Sequence, residues 1–201
     1  MVSRIVTLGD STLDSCRYSG GRGTSAPELL ARALDVDLEH LARDGHTANA
    51  VLTFQLPGLP APASETVLVV SVGGNDLLSG IYSPADIAPD FARRLDQILV
   101  QACDRLRPTR TVVANIYDPS GHDPNFAKWF TDIDRARAIH AAFNEVIAAA
   151  ATSHGATLAD LCKAFRETAG CSPPWITARI EPSAEGARQI ARLLREAIEA
   201  S

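Results

Sequence analysis

Two kinds of hydrophobic pattern alternate along this chain. Short segments rich in apolar and β-branched residues run from Val2 to Leu8, Val36 to Ala42, Thr66 to Val72, Thr109 to Ile116 and Ala156 to Asp160, mostly followed by turn residues. They read as strands. Between them apolar residues recur every three or four positions, the stripe of a helix packed on a sheet. Ser25-Ala26-Pro27-Glu28 has the form of a capping box with proline in the first turn, opening a helix through Leu29, Leu30, Ala33 and Leu34. Ser83-Pro84-Ala85-Asp86 opens the next, which carries Ile87, Phe91, Leu95, Ile98, Leu99, Ala102 and Leu106. Trp129, Ile133, Ala136, Phe143, Val146, Ile147 and Ala150 repeat the pattern. A last helix from Ser183 is expected to bury Ala187, Ile190, Ala191, Leu194 and Ile198 and to leave Arg188, Arg192 and Arg195 in water.

Strands that alternate with helices predict right-handed βαβ units, a parallel sheet and an α/β class three-layer α/β/α sandwich. With 201 residues, 46% of them hydrophobic, one domain covering residues 1–201 is expected. No internal repeat or low-complexity segment interrupts it, and Pro57 to Pro62 reads as a connector. The longest irregular stretch, Tyr117 to Lys128, leaves the carboxyl end of a strand and is a candidate pocket wall.

A net charge of -5 without a basic stripe argues against a nucleic-acid partner. No apolar run approaches the roughly 20 residues of a membrane helix, and the chain enters its first strand without a charged region and apolar leader. The expectation is a cytoplasmic protein away from membranes, a monomer or weak homo-oligomer, with a small-molecule partner. Cys16, Cys103, Cys162 and Cys171 form no C-x-x-C pair and no metal-ligand spacing with histidine, so neither a metal nor another cofactor is expected. Cys162 and Cys171 could close a short loop, although an intracellular setting disfavours a disulfide.

The chemistry concentrates at two strand ends. Gly9-Asp10-Ser11 follows the first apolar run and Gly73-Gly74-Asn75-Asp76 follows the third. In an open α/β sheet, ligands bind beyond the carboxyl ends of strands. A hydroxyl and a side-chain amide are therefore expected to face one pocket, an arrangement suited to acyl transfer. Asp10 and Asp76 are expected to organise their turns through backbone hydrogen bonds. Gly21-Arg22-Gly23-Thr24-Ser25-Ala26 mimics a dinucleotide-binding loop but lies too far past its strand. No G-x-S-x-G elbow, Walker A or H-E-x-x-H occurs.

These blocks, with Gly45 in Ala42-Arg43-Asp44-Gly45-His46-Thr47, make the chain similar to the SGNH/GDSL hydrolases. The resemblance implies a flavodoxin-like parallel sheet of five strands and an ester-hydrolysing or acyl-transferring activity. It implies that Ser11 attacks a carbonyl carbon, while the N–H groups of Ser11 and Gly45 and the Asn75 amide hold the oxyanion. Asp10, Asp14, His46, Gly74 and Asp76 complete the candidate set as binding residues. For Asp14 and Tyr18, plain surface exposure is the competing reading. Phe126, Trp129, Phe130 and Trp175 could form an acyl pocket, against the alternative of ordinary core.

The fourth block departs from the family. Where Asp-x-x-His-Pro is usual, the chain has Ala178-Arg179-Ile180-Glu181-Pro182. Glu181 then becomes the candidate base or acid. A free glutamate starts about 3 kcal/mol behind imidazole in proton affinity, a deficit that burial can reduce. Among the histidines, His46 is the best placed substitute, with His122 in the long loop behind it and His40, His140 and His154 assigned to a strand, a helix and a helix end. The missing block also motivates another reading, a weak or inactive binding protein that keeps the pocket.

Overall fold

The computed structural model describes residues 2–81, 83, 86–120, 132–166, 168 and 171–200. Pro84 and Ala85 of the predicted helix start, and His122, Phe126, Trp129 and Phe130, lie outside them. The predicted long segment after Tyr117 is described as far as Ser120.

The elements follow in the order β1 (Arg4–Gly9), α1 (Cys16–Ser19), α2 (Ala26–Leu34), β2 (Asp37–His40) and α3 (Ala48–Ala50). A π-helical turn, Val51–Gln55, and a 3-10 turn, Leu56–Gly58, lead to β3 (Thr66–Ser71), α4 (Gly74–Ile81), α5 (Ala88–Leu106) and β4 (Arg110–Ala114). The remainder comprises α6 (Ile133–Ser153), β5 (Thr157–Ala159), α7 (Leu161–Arg166), the pair β6 (Ile176–Thr177) and β7 (Glu181–Pro182), and α8 (Ala184–Glu199).

Strands β1 to β5 form one sheet in the order β2-β1-β3-β4-β5, with every pairing parallel. This is the flavodoxin-like order expected above. Each predicted strand is present, with bounds shifted by up to two residues; β1 starts later and ends at Gly9, one residue past its expected end. The second is shortest of its expectation, yet Leu41 N still donates to Thr7 O at 3.1 Å and Arg43 N to Gly9 O at 3.0 Å, carrying the chain along β1 toward the site.

Side chains along the central strands alternate between two cores. Val6, Leu8, Leu68 and Val70 pack with Phe91, Leu95 and Leu99 of α5 and with Phe143 and Ile147 of α6. Ile5, Val67, Val69 and Val112 pack with Leu30 of α2 and Ile190, Leu194 and Ile198 of α8. Burial on both faces explains why these strands are nearly continuous apolar runs. The Ser25 amide donates to Glu28 Oε2 at 3.0 Å at the head of α2, and Ser183 Oγ accepts from Gly186 N at 3.1 Å at the head of α8. The two caps stand where the sequence places them.

Tertiary structure adds what periodicity does not show: α1, α3 with its π-helical turn, and the β6–β7 hairpin are too short for a three- or four-residue repeat. The thiols of Cys16, Cys103, Cys162 and Cys171 are all free. Among the described residues, no helix is long and apolar enough to cross a membrane.

Candidate active site

Strand β1 ends at Gly9, whose φ of 148° lies outside the comfortable range of L side chains. A Cβ here would lie 1.8 Å from the Ser71 carbonyl oxygen of β3. Beyond the ladder, the buried Gln55 carboxamide takes both polar groups of Gly9: Oε1 accepts its N–H at 2.8 Å and Nε2 donates to its carbonyl at 2.7 Å. The chain consequently leaves the sheet at Asp10 in one fixed direction.

Asp10 is 2% exposed and joins the two glycine turns. Its Oδ1 accepts Thr12 N at 3.0 Å and its Oδ2 accepts Gly74 N at 3.3 Å. Burial is the main cause that pushes its pKa up to about 7; the bonds from Thr12 and Gly74 oppose this, and the charge of Glu181 adds to it. Ser11 follows, half-buried, in the wall of a cleft that Gly74 and Asn75 also line.

Asn75 stands in the first turn of α4 and uses one Nδ2 hydrogen to reach the His46 carbonyl at 3.0 Å. The second amide hydrogen is available for another acceptor. Asp76 serves the scaffold, since its Oδ2 accepts Ala48 N at 2.9 Å and burial raises its pKa. It lines a separate cleft with Thr47 and Arg94.

The loop that carries Gly45 is tied down from below. Asp14 Oδ2 accepts Asp44 N at 3.0 Å, and the Tyr18 hydroxyl donates to Asp44 Oδ2 at 2.8 Å. Gly45 is exposed, with a φ of 79°. The His46 ring meets Gln55, whose Nε2 lies 2.9 Å from Nδ1. As an amide nitrogen only donates, Nδ1 is the acceptor, and the imidazole is engaged with the clamp behind Gly9.

The opposite wall is the β6–β7 hairpin. Glu181 is 8% exposed and lines the cleft with Ser11. Burial raises its pKa, the Ser11 hydroxyl favours the carboxylate and so lowers it, and the charge of Asp44 raises it again. Its Oε2 is buried without a hydrogen-bond partner. Arg43 does not answer that charge, because its guanidinium caps the carbonyls of His40 and Ala42 at 3.2 and 2.7 Å.

Tyr117, at the end of β4, and His140, on α6, complete this side. His140 Nε2 is 2.8 Å from the Ile116 carbonyl, which also accepts Asn144 Nδ2 at 2.9 Å. Leu77, Leu78, Pro119, His140 and Ile180 continue the cleft into an apolar recess beside Ile81 and Ala136.

Of the sequence-predicted set, Ser11, Asp10, Gly74, Asn75 and Glu181 meet in one cleft. Gly45, His46, Asp14 and Asp76 are not among its lining residues; Asp14 and Asp76 hold the backbone that shapes it. Among the described residues, the histidine that lines the cleft is His140, not His46. Trp175 packs edge-on to Phe165 at 5.0 Å in the second core. Tyr117 and Pro119 of the expected pocket wall do line the cleft; sequence reasoning missed Gln55 and the Tyr117 bond to Ile180, whose partners lie 46 and 63 positions away. Among the described residues no group of three His, Cys, Asp or Glu side chains is arranged to hold a metal ion.

A family model for the GDSL-like Lipase/Acylhydrolase family matches residues 7–189. Among solved structures, the chain is similar to phospholipase A1 from Streptomyces albidoflavus NA297, with a TM-score of 0.77 at 21% identity, covering 98% of this chain and 100% of that one. A member of the lipolytic protein G-D-S-L family from Veillonella parvula DSM 2008 gives a TM-score of 0.75 at 17% identity, covering 98% and 99%. The extracellular lipase from Streptomyces rimosus gives 0.73 at 20% identity, covering 98% and 100%. Identities this low speak to the fold. No curated protein matches the chain.

Proposed function

The chain belongs to the GDSL-like lipase/acylhydrolase family and is an ester hydrolase of the SGNH/GDSL type, and from that premise we propose that it cleaves a small ester, thioester or acetylated metabolite through Ser11, with Glu181 as its base. The observation that carries this reading is the meeting of the Ser11 hydroxyl, the Asn75 amide and the Glu181 carboxyl in one cleft.

Ser11 Oγ attacks the carbonyl carbon as Glu181 takes its proton. The Ser11 N–H and the second Asn75 amide hydrogen receive the negative charge that develops on the carbonyl oxygen, and the N–H of Gly45, outside the cleft lining, is the further donor that the family resemblance implies. Collapse of the tetrahedral intermediate breaks the bond to the leaving alcohol or thiol, which recovers the proton from Glu181. Water then attacks the acyl-serine with Glu181 again as base, releasing the acid and restoring Ser11.

Carboxylate catalysis changes the charge balance. A histidine base would become a cation beside the oxyanion, whereas Glu181 becomes neutral, so the site keeps one negative charge and gains no ion pair. The deficit in proton affinity, about 3 kcal/mol at unperturbed values, is reduced by the burial that raises Glu181. A modest rate is the consequence. The replacements at Ala178 and Glu181 also favour a second reading, in which the pocket serves binding and turns over only weakly.

Steady-state hydrolysis of a short aryl ester, combined with covalent trapping by an alkyl phosphonate, tests the proposal. The parent should turn over and carry one phosphonate on Ser11, and Ser11→Ala should lose at least about 10⁴-fold in kcat and all labelling. A parent that neither hydrolyses nor labels would leave the binding reading standing.

A further inference from the structure

We propose that Tyr117 is the positioning residue of this site, fixing the carboxyl of Glu181 against Ser11 from the end of the neighbouring strand. The inference rests on the proposed role of Glu181 and adds the means by which that side chain is held.

The hairpin that presents Glu181 has little stiffness of its own. Its strands are two residues each, joined through Ala178 and Arg179, both at positive φ. Two-stranded ribbons of ordinary length are already marginal. Behind the site, the hairpin is tied by Ser183 N, which donates to the Trp175 carbonyl at 2.9 Å. On the cleft side the tie is Tyr117, whose hydroxyl donates to the Ile180 carbonyl at 2.6 Å, one residue before Glu181.

Thr12, one residue after Ser11, lines the same cleft as Tyr117. The Tyr117 hydroxyl thus anchors the hairpin inside the cleft that Ser11 shares with Glu181. The Tyr117 ring is itself immobilised, 6% exposed and stacked on Phe165 at 4.6 Å with an interplanar angle of 21°. Among the described residues Glu181 Oε2 has no hydrogen-bond partner, so the place of the carboxylate depends on its backbone and on the Ser11 hydroxyl. A 1 Å displacement of such a group is enough to cost orders of magnitude in rate.

Tyr117→Phe keeps the ring and its stack and removes only the oxygen. The expected result is a fall in kcat of about 10- to 100-fold with KM within about threefold. The ionisable groups coupled to Glu181 are Asp10, Asp44, Tyr18 and Tyr117, and His140 lines the same cleft. All but Tyr117 are unchanged by the substitution. As the Ser11 bond favours ionised Glu181, loosening it should move the acid limb of the kcat profile to higher pH. Tyr117→Phe combined with Glu181→Gln should be no slower than Glu181→Gln, since the hydroxyl acts through the carboxylate.

An additive double variant, an unmoved acid limb or an unchanged kcat would overturn the assignment while Glu181→Gln remained slow. If Glu181→Gln matched the parent across pH, the underlying reading would fall instead. Should Tyr117→Phe not fold, 4-aminophenylalanine at position 117 supplies an N–H donor on the same ring and should restore folding and at least half of the parent kcat. A folded but equally slow 4-aminophenylalanine protein would overturn the proposal.

Discussion

The two walls of the cleft are built on opposite plans. The wall that carries Ser11 and Asn75 is fixed by the central strands of the sheet, where Gly9 is clamped by Gln55 and the Asp10 carboxylate gathers Thr12 and Gly74. The wall that carries Glu181 is a hairpin of two-residue strands with a left-handed turn and one unpartnered carboxylate oxygen. Rigidity therefore sits with the oxyanion donors, whose geometry has to be preorganised. The proton acceptor rides on the element with fewest internal bonds, the place where a substitution of its chemistry disturbs least of the fold.

The sharpest way to break that contrast is Gly9→Ala. The added Cβ would meet the Ser71 carbonyl oxygen at 1.8 Å in a backbone region unsuited to alanine, and neither central strand can retreat without opening the sheet. A loss of more than about 4 kcal/mol in urea unfolding is expected. A well-folded variant would mean that the strand end has slack, and the description of a rigid wall would fail.

Asp10 links the walls electrostatically and gives the next effect. Its carboxyl is pushed up from the ordinary 3.8 to about 7 in the folded protein, chiefly through burial. With the folded value raised, its contribution to stability is fully present below the unfolded value and is lost as pH rises toward and through 7. The separation corresponds to on the order of 4 kcal/mol between pH 3 and pH 8. Asp10→Asn should remove that component, so unfolding free energies measured over this range should fall less steeply than in the parent. Parallel curves would show that Asp10 titrates alike in both states and that its neighbours, Glu181 included, do not hold it protonated.

The same contrast decides what was legible in the sequence. The rigid wall was readable because its parts are local: glycines at strand ends, a serine two residues beyond Gly9 and an asparagine two beyond Gly73, and caps such as Ser25 and Ser183 at fixed offsets. The parallel sheet was readable because strands buried on both faces leave nearly unbroken apolar runs, while its flavodoxin-like arrangement came with the family resemblance. Gln55 and His140 were not readable, and of Tyr117 only its place in a pocket wall was, since each acts through a distant partner that no local pattern shows. His46 was favoured over His140 because it adjoins Gly45 in sequence, but adjacency says nothing about which way a ring turns, and Gln55 takes it. Glu181 was found by alignment to a motif, not by periodicity.

The smallest effect probes the turn of the flexible wall. Ala178 is exposed with a φ of 44°, a conformation that costs an L residue roughly 1–2 kcal/mol. Ala178→Gly removes that cost and adds about 0.5–1 kcal/mol of unfolded-state entropy, so a net gain of about 0.5 kcal/mol in unfolding free energy is expected. Activity should not change, because the hairpin is held on the cleft side by Tyr117 and behind it by Ser183, with the turn serving only to close it. A change in kcat beyond about twofold would instead place the control of Glu181 in the turn itself, moving the origin of the site's geometry from the strand end to the loop.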